Sequence, residues 1–281
     1  MVPAQPRNCQ VKTGTKPSAG SVIVVHMDAI MYAAGRGFRL GALSAECPKI
    51  LLEIGGQTLL ERHAELLKWA GVRCLHVVTG HLREAVAEAI ESVSKKTGLK
   101  ICDVFNSAYT EGSVISMAAS LPLIREAREP MLLMDGDVLY DHRLMGRLMG
   151  SAHGSTLLID QGYSTANDDP VLVPVNQGRP VDFRKKWTGT AELVGESIGF
   201  FKLDRAGLDG VIRETEARIE GERRKESYDE VIRSLVLAGV FGCDDVTGIP
   251  WTELDFPEDL EYAEKTTLPR LEAIPARTGC S

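Results

Sequence analysis

Short stretches of this 281-residue chain hold the residue types that handle phosphate and metal. The first is DAIMYAAGRGFRLG, Asp28 to Gly41, an apolar run followed by Gly35, Arg36, Gly37 and Arg39. Glycines let backbone N–H groups approach phosphate oxygens closely. Arginine adds planar, always-charged donors that match phosphate, and Lys49, behind Pro48, adds a compact ammonium for a second phosphate. A triphosphate needs that combination. For any one residue a glycine turn with solvated arginines is the alternative; the whole set, at the C-terminal end of a strand, points to a ligand. A dinucleotide fingerprint does not fit. Its third glycine would fall at Leu40, and no convincing acid follows about 20 residues on, after a second strand. No GK[ST] Walker loop occurs.

Two carboxylate clusters lie further along. LLMDGDVLY carries Asp135 and Asp137 at the end of an apolar run, and WTELDFPEDL carries Glu253 and Asp255. Carboxylates at strand ends suit a hard cation, and Mg²⁺ usually takes one or two of them together with phosphate oxygens and water. A turn aspartate and a helix N-cap account for the same residues equally well.

The elements that must carry these residues follow from periodicity. Ala29–Ala34 reads as a strand feeding the glycine loop. PKILLEIGG reads as a short strand and a Gly55–Gly56 turn. The next segment is a helix with Leu59, Leu60, His63, Leu66, Leu67 and Ala70 on one face, a Thr58–Glu61 capping box and a stop at Gly71. CLHVVTG and KICDVFN are buried strands around the helix REAVAEAIESVSKK, and GSVISMAASL is helical before the strand of EPMLLMDGD. Strands that alternate with helices and are apolar throughout indicate an α/β fold with a mostly parallel sheet covered on both faces. After about residue 155, STLLID, DPVLVPV, GRPVDFRKKW and ESIGFFKL read as short antiparallel strands. Helices return in AGLDGVIRETEARIEG and SYDEVIRSLVLAG, and Pro257 starts the last one. We expect one domain over residues 28–268, a leader over 1–27 with an extra strand at Ser21–Val25, and a loose tail over 269–281.

Bulk properties narrow the function. A formal net charge of -7 argues against a general nucleic-acid binder. The six cysteines (Cys9, Cys47, Cys74, Cys102, Cys243 and Cys280) form no CxxC pair and read as reduced thiols of a cytoplasmic protein. No run approaches the ~20 apolar residues of a membrane span. Arg7, Lys12 and Lys16 sit in a leader with no signal-peptide core, which reads as a tail, with a transit peptide as the alternative.

AAGRGFRLG, Pro48–Lys49 and LLEIGGQTLLERHAELLKWAGV together resemble the nucleotidyltransferase superfamily that makes NDP-sugars and CDP-alcohols, with its three-layer α/β/α, Rossmann-like fold. Residues 28–80 match closely; shorter matches lie at Asn106–Ser120, Met131–Val138, Glu196–Leu203 and Trp251–Tyr262. Phe38 departs from the family pattern, where a small or polar residue is common. The resemblance implies a shared Mg²⁺ on Asp137 and Asp255, with Asp135 and Glu253 as weaker candidates. It implies a nucleotide seat built from Ala33, Ala34, Gly35, Arg36, Gly37 and Gly80. Arg39 and Lys49 would stabilise the triphosphate and departing pyrophosphate during in-line attack by an anionic acceptor, a reaction that asks mainly for positioning and charge neutralisation. A second lysine is expected near the nucleophilic phosphate. DFRKKW supplies Lys185 and Lys186, and alternation along a strand favours Lys185.

FNSAYTEGSVISMAAS and WTELDFPEDLEYA resemble the phosphocholine and phosphonate cytidylyltransferases within that superfamily. Asn106, Ser113 and Ser116 match the positions that contact base or ribose there, although Glu111–Gly112–Ser113 replaces the paired asparagines. CTP is therefore the expected nucleotide and a phosphonate or phospho-alcohol the expected acceptor; a sugar-1-phosphate uridylyl- or thymidylyltransferase is the alternative. Glu196, Trp187, Tyr228 and Asp229 are candidate acceptor contacts, since an aromatic face and a carboxylate suit a cationic head group. Ordinary packing is the alternative for Trp187 and Tyr228. A homodimer is the default oligomer.

Overall fold

The computed structural model describes residues 27–163 and 170–275; the leader strand expected at Ser21–Val25 lies outside them. The first half of the chain runs β1 (Asp28–Tyr32), α1 (Ala42–Glu46), β2 (Glu53–Ile54), β3 (Gln57–Thr58), α2 (Leu59–Ala70), β4 (Cys74–Thr79), α3 (Arg83–Thr97), β5 (Lys100–Phe105), α4 (Ser113–Glu126), β6 (Met131–Asp135), β7 (Val138–Tyr140) and α5 (His142–Gly150). The second half runs β8 (Thr156–Asp160), β9 (Leu172–Asn176), β10 (Arg179–Pro180), β11 (Leu193–Leu203), α6 (Arg205–Glu220), α7 (Asp229–Leu237), β12 (Gly242–Asp245), β13 (Trp251–Glu253) and α8 (Pro257–Tyr262).

Nine strands form the main sheet, in the order β10-β9-β11-β6-β1-β4-β5, with β8 joining β11 to β12. Strands β6, β1, β4 and β5 are mutually parallel, while β11 is antiparallel to β6, β8 and β9. The switch to antiparallel pairing after residue 155 is as the short strands predict. Strand alternation divides the apolar side chains between two cores: Ala29, Met31, Leu75 and Val77 face one, and Ile30, Val78 and Leu133 face the other. Burying each large aliphatic side chain contributes about 1.5–3 kcal/mol, so the central strands are the rigid base from which the loops project.

Helix α2 begins where its cap predicts. Thr58 Oγ1 accepts the Glu61 N–H at 3.2 Å, and Gly71 ends the helix with φ 91°. Leu59, Leu60, His63, Ala64, Leu66, Leu67 and Ala70 are its buried face. Among the described residues no helix is long and apolar enough to cross a membrane.

Two local expectations are corrected. PKILLE does not open as a strand: Pro48, which lacks an N–H, leads into a tight 3₁₀ turn over Lys49–Leu51 before the two-residue β2. DFRKKW is not a strand either. Only Arg184 bridges, to Leu172, because the Asp182 carboxylate takes up the Phe183 N–H and the Arg233 guanidinium, local bonds that compete with a ladder. The face-alternation argument that favoured Lys185 over Lys186 therefore has no strand to rest on. Helix α4 takes Gly112 as its N-cap.

Candidate active site

The C-terminal ends of the parallel strands carry the site. The chain leaves β1 into the loop Ala33–Arg39, pinned by Ala33 N–H to the Val78 carbonyl (3.0 Å) and by His81 N–H to the Ala34 carbonyl (3.1 Å). Gly80 lies at this junction because nothing larger fits: a Cβ there would stand 2.8 Å from the Ala34 oxygen and 2.5 Å from the Tyr109 Cβ. Gly37 adopts the left-handed conformation, φ 62°, and turns the chain so that buried Leu40 anchors the far side of the loop. Gly35 and Arg36 remain exposed, and the Arg36 guanidinium lies 5.4 Å from the Phe38 ring and 5.9 Å from the Tyr109 ring. Arg39 lies 5.3 Å from the Phe256 ring centre.

Lys49 joins three parts of the chain that are far apart in sequence. Its Nζ is 3.0 Å from Asp137 and 2.5 Å from Asp255, and Arg39 reaches the other Asp255 oxygen at 2.6 Å. Burial alone would lower the Lys49 pKa, but Asp137 and Asp255 outweigh it and hold the ammonium protonated well above its ordinary range.

Backbone pairing sets this convergence. β13 runs antiparallel to β7 with Glu253 opposite Val138, and the Leu254 N–H donates to the Asp137 carbonyl at 2.9 Å. Buried Leu254 locks the segment, and Asp259 accepts the N–H groups of Asp255 and Phe256 at 2.8 and 2.6 Å, fixing the turn into α8. On the other side, the Gly136 N–H donates to the Tyr32 carbonyl, and His63 Nε2 lies 3.3 Å from the Gly136 carbonyl oxygen. A carbonyl can only accept, so the neutral His63 ring carries its proton on Nε2. Complete burial depresses the His63 pKa to about 4.

Asp137, Glu253 and Asp255 bring carboxylate oxygens within 4.8 Å of one another. This all-oxygen set fits a hard divalent cation. Glu253 reaches solvent, yet partial enclosure in the cleft and the adjoining Asp137 and Asp255 charges push its carboxyl well above the usual range. A bound cation would relieve that crowding.

Asp135 turns elsewhere. The Tyr228 hydroxyl donates to it, and Gly199, at φ 77°, leaves the space it occupies: a Cβ there would stand 2.2 Å from Asp135 Oδ2. Burial, and then the Asp137 charge, drives the Asp135 carboxyl upward.

Two clefts flank the carboxylates. One, of about 260 Å³, is lined by Ala33, Ala34, Gly35, Gly37, Lys49, Ser113, Ser116, Asp137 and Tyr228. The other, of about 650 Å³, is lined by Glu196, Trp251, Glu253, Asp255 and Phe256. Glu196 thus lines the same cleft as Glu253 and Asp255.

The remaining predicted residues spread more widely. Asn106 is buried and donates to Ser116 Oγ at 3.1 Å, which leaves it a supporting position beneath the first cleft. Ser113 Oγ accepts the Tyr228 N–H at 2.9 Å. Tyr228 lines the first cleft with Asp135, not the second with Glu196. Lys185 is exposed, and its charge acts on Asp229, whose carboxyl burial nevertheless raises. Trp187 and Asp229 are not among the described residues lining either cleft.

Phe256, Tyr109 and Gly199 were not singled out from the sequence. Phe256 and Tyr109 lie inside segments that were, FPEDL and NSAYTEG. Gly199 lies inside a third, ESIGFFKL, but only the packing of β11 against β6 reveals its neighbour Asp135.

Comparison with known proteins finds relatives of this chain. The chain is 31% identical over 246 residues to the bifunctional IPC transferase and DIPP synthase of Rubrobacter xylanophilus, covering 85% of this chain and 52% of that protein. It is 27% identical over 256 residues to the CMP-5'-(3-aminopropyl)phosphonate synthase of Streptomyces rubellomurinus, covering 85% of this chain and 38% of that one. The chain thus spans about half or less of the length of these two relatives. The solved inositol-1-phosphate CTP transferase of T. maritima superposes with a TM-score of 0.68 at 20% identity, over 84% of this chain and 91% of that one, and so shares the fold. The profile of the MobA-like NTP transferase domain matches residues 29–239, from the strand that feeds the glycine loop through the helices behind the sheet. With that match running over most of its length, the chain belongs to the MobA-like NTP transferase domain family.

Proposed function

We propose that the chain is a Mg²⁺-dependent cytidylyltransferase that couples CTP to a small phosphonate or phospho-alcohol and releases pyrophosphate. The carrying observation is Lys49 Nζ, 3.0 Å from Asp137 and 2.5 Å from Asp255, in the cleft that the glycine loop lines. The name of the Streptomyces relative, a CMP-aminopropylphosphonate synthase, supports both the base and the acceptor class.

The backbone of Ala33–Gly37 and the Arg36 and Arg39 guanidinium groups would bind the triphosphate. Gly80, Ser113 and Ser116 border the nucleotide, and Asn106 supports Ser116. Asp137 and Asp255 would hold Mg²⁺, with Glu253 alongside; the ion would neutralise phosphate charge as it develops. An acceptor oxygen, already anionic, forms the new bond to the α-phosphorus as the bond to pyrophosphate breaks. Lys49 stays protonated throughout, and with Arg39 it offsets the charge that builds on the departing pyrophosphate. The second cleft, with Glu196, Glu253, Trp251 and Phe256, suits an acceptor whose far end is cationic. Lys185 is our candidate contact for the acceptor's phosphate, and Asp229, next to it, orients that lysine. Trp187 borders the same segment.

The test is pyrophosphate release with each nucleoside triphosphate, Mg²⁺ and a panel of aminoalkylphosphonates, phospho-alcohols and hexose 1-phosphates. CTP with an aminoalkylphosphonate or phosphocholine should give the fastest release. Faster turnover of UTP or dTTP with a hexose 1-phosphate would replace this reading by an NDP-sugar synthesis.

A further inference from the structure

Three metal-binding side chains meet at the N-terminal ends of the parallel strands, away from the clefts at the C-terminal ends. Cys74 and His76 are two residues apart on β4 and so share one face of the sheet. β5 runs parallel beside it, and its Cys102 is the register partner of His76. The Cys74 and Cys102 sulfurs lie 3.7 Å apart, and both lie with a His76 ring nitrogen inside a 4.8 Å cluster.

We propose that Cys74, His76 and Cys102 form a zinc site, separate from the carboxylates of the active site. The sulfur separation distinguishes this from a disulfide, whose bond is about 2.05 Å. A tetrahedral ion with Zn–S bonds of about 2.3 Å holds its two sulfurs about 3.8 Å apart, which the observed 3.7 Å matches. The donor set is also selective: two thiolates and an imidazole favour zinc over the hard cation that suits Asp137 and Asp255.

The site is pre-organised by the fold. All three residues stand on hydrogen-bonded strands whose register runs unbroken from Cys74–Lys100 to Thr79–Phe105, so binding orders little further backbone. Cys74 is buried while His76 and Cys102 are half-buried, which leaves a way in for an ion. Asp28 starts β1 one position before the Ala29–Leu75 pair, placing it next to Cys74 in the sheet. It already accepts two bonds from Arg73, each 3.2 Å, so the fourth ligand is water unless Asp28 exchanges partners. Zinc here would cross-link β5, the edge strand, to β4 and displace the thiol protons as it binds.

The experiment uses the reduced full chain, stripped of metal and titrated with Co²⁺ in excess Mg²⁺. The expected result is a near-ultraviolet thiolate-to-cobalt charge-transfer band that saturates at a single equivalent and is abolished by Zn²⁺. Cys102→Ser and His76→Ala should each weaken Co²⁺ binding by about 10–100-fold or more, while Asp137→Asn leaves the band unchanged. The proposal is overturned if wild-type protein shows no such band, or if the band keeps its affinity in both Cys74→Ser and Cys102→Ser. It is equally overturned if thiol titration shows Cys74 and Cys102 joined in a disulfide.

Discussion

Lys49 is the residue on which the site turns. It meets two carboxylates from remote segments, and Arg39 meets one of them. Removing its charge leaves Asp137 and Asp255 facing one another without an ammonium. We expect Lys49→Met to lower kcat by about 10²–10³-fold, the cost of removing one pre-organised charge-stabilising donor, measured by pyrophosphate release. Asp137→Asn, nearly the same shape, should abolish Mg²⁺-dependent turnover while circular dichroism stays unchanged; retained activity would rule Asp137 out as a metal ligand. His63 gives a pH prediction. Its folded pKa of about 4 lies below the ordinary value of 6.5, so the folded state binds fewer protons in that window. Stability from the neutral ring is therefore complete above about pH 6.5 and falls as the pH drops toward 4, by about 1.4 kcal/mol per unit at most. Denaturant titrations of wild type and His63→Gln across that range should show the steeper slope in wild type.

At the scale of elements, the site depends on glycines where two segments touch. Gly199 sits in the irregular stretch of β11 between Ser197 and Phe201, with φ 77° and Asp135 Oδ2 where a side chain would be. Gly199→Ala must both strain the backbone, at about 1–2 kcal/mol, and push the Asp135 carboxylate. We expect a lower melting temperature and reduced turnover together. By contrast, Thr58→Ala removes only the cap of α2 and should cost about 1 kcal/mol without changing the kinetics, a comparison that separates stability loss from site distortion. The same logic explains Glu111–Gly112–Ser113. A Cβ on Gly112 would stand 2.5 Å from the Arg224 carbonyl oxygen, and Glu111 takes Arg224 in a paired bridge of 2.6 and 3.0 Å. That segment is used to dock residues 224–228 onto the start of α4, which carries Tyr228 to Asp135.

For the whole molecule, the parallel half of the sheet offers the loop and Asp137, while β13, paired to β7 outside the main sheet, offers Glu253 and Asp255. The two halves of the site are thus carried by different sheets, and ligand should stiffen the contact between them. Saturating CTP with Mg²⁺ at about 100 times its dissociation constant should stabilise the fold by about 2.7 kcal/mol, read as a rise in melting temperature that EDTA reverses. UTP should give a smaller rise; a larger one would overturn the preference for CTP.

The alternation of apolar strands and amphipathic helices, the cap of α2 and the loop of Gly35, Gly37 and Arg39 were legible in the sequence because each depends on near neighbours along the chain. Lys49, Asp137 and Asp255 were legible as motifs, since residues at strand ends keep a recognisable local pattern. Their meeting was not: a separation of 206 residues between Lys49 and Asp255 is closed only by the β13–β7 pairing. The side of the site on which Tyr228 stands, the irregular path of Lys185 and Trp187, and the pocket Gly199 leaves for Asp135 were likewise decided by packing. So was the meeting of Cys74 with Cys102, which parallel register brings to 3.7 Å across 28 residues of sequence. Periodicity along a chain encodes which face a side chain takes, but which distant side chains share that face depends on strand order and register, and those follow from burial of the whole core.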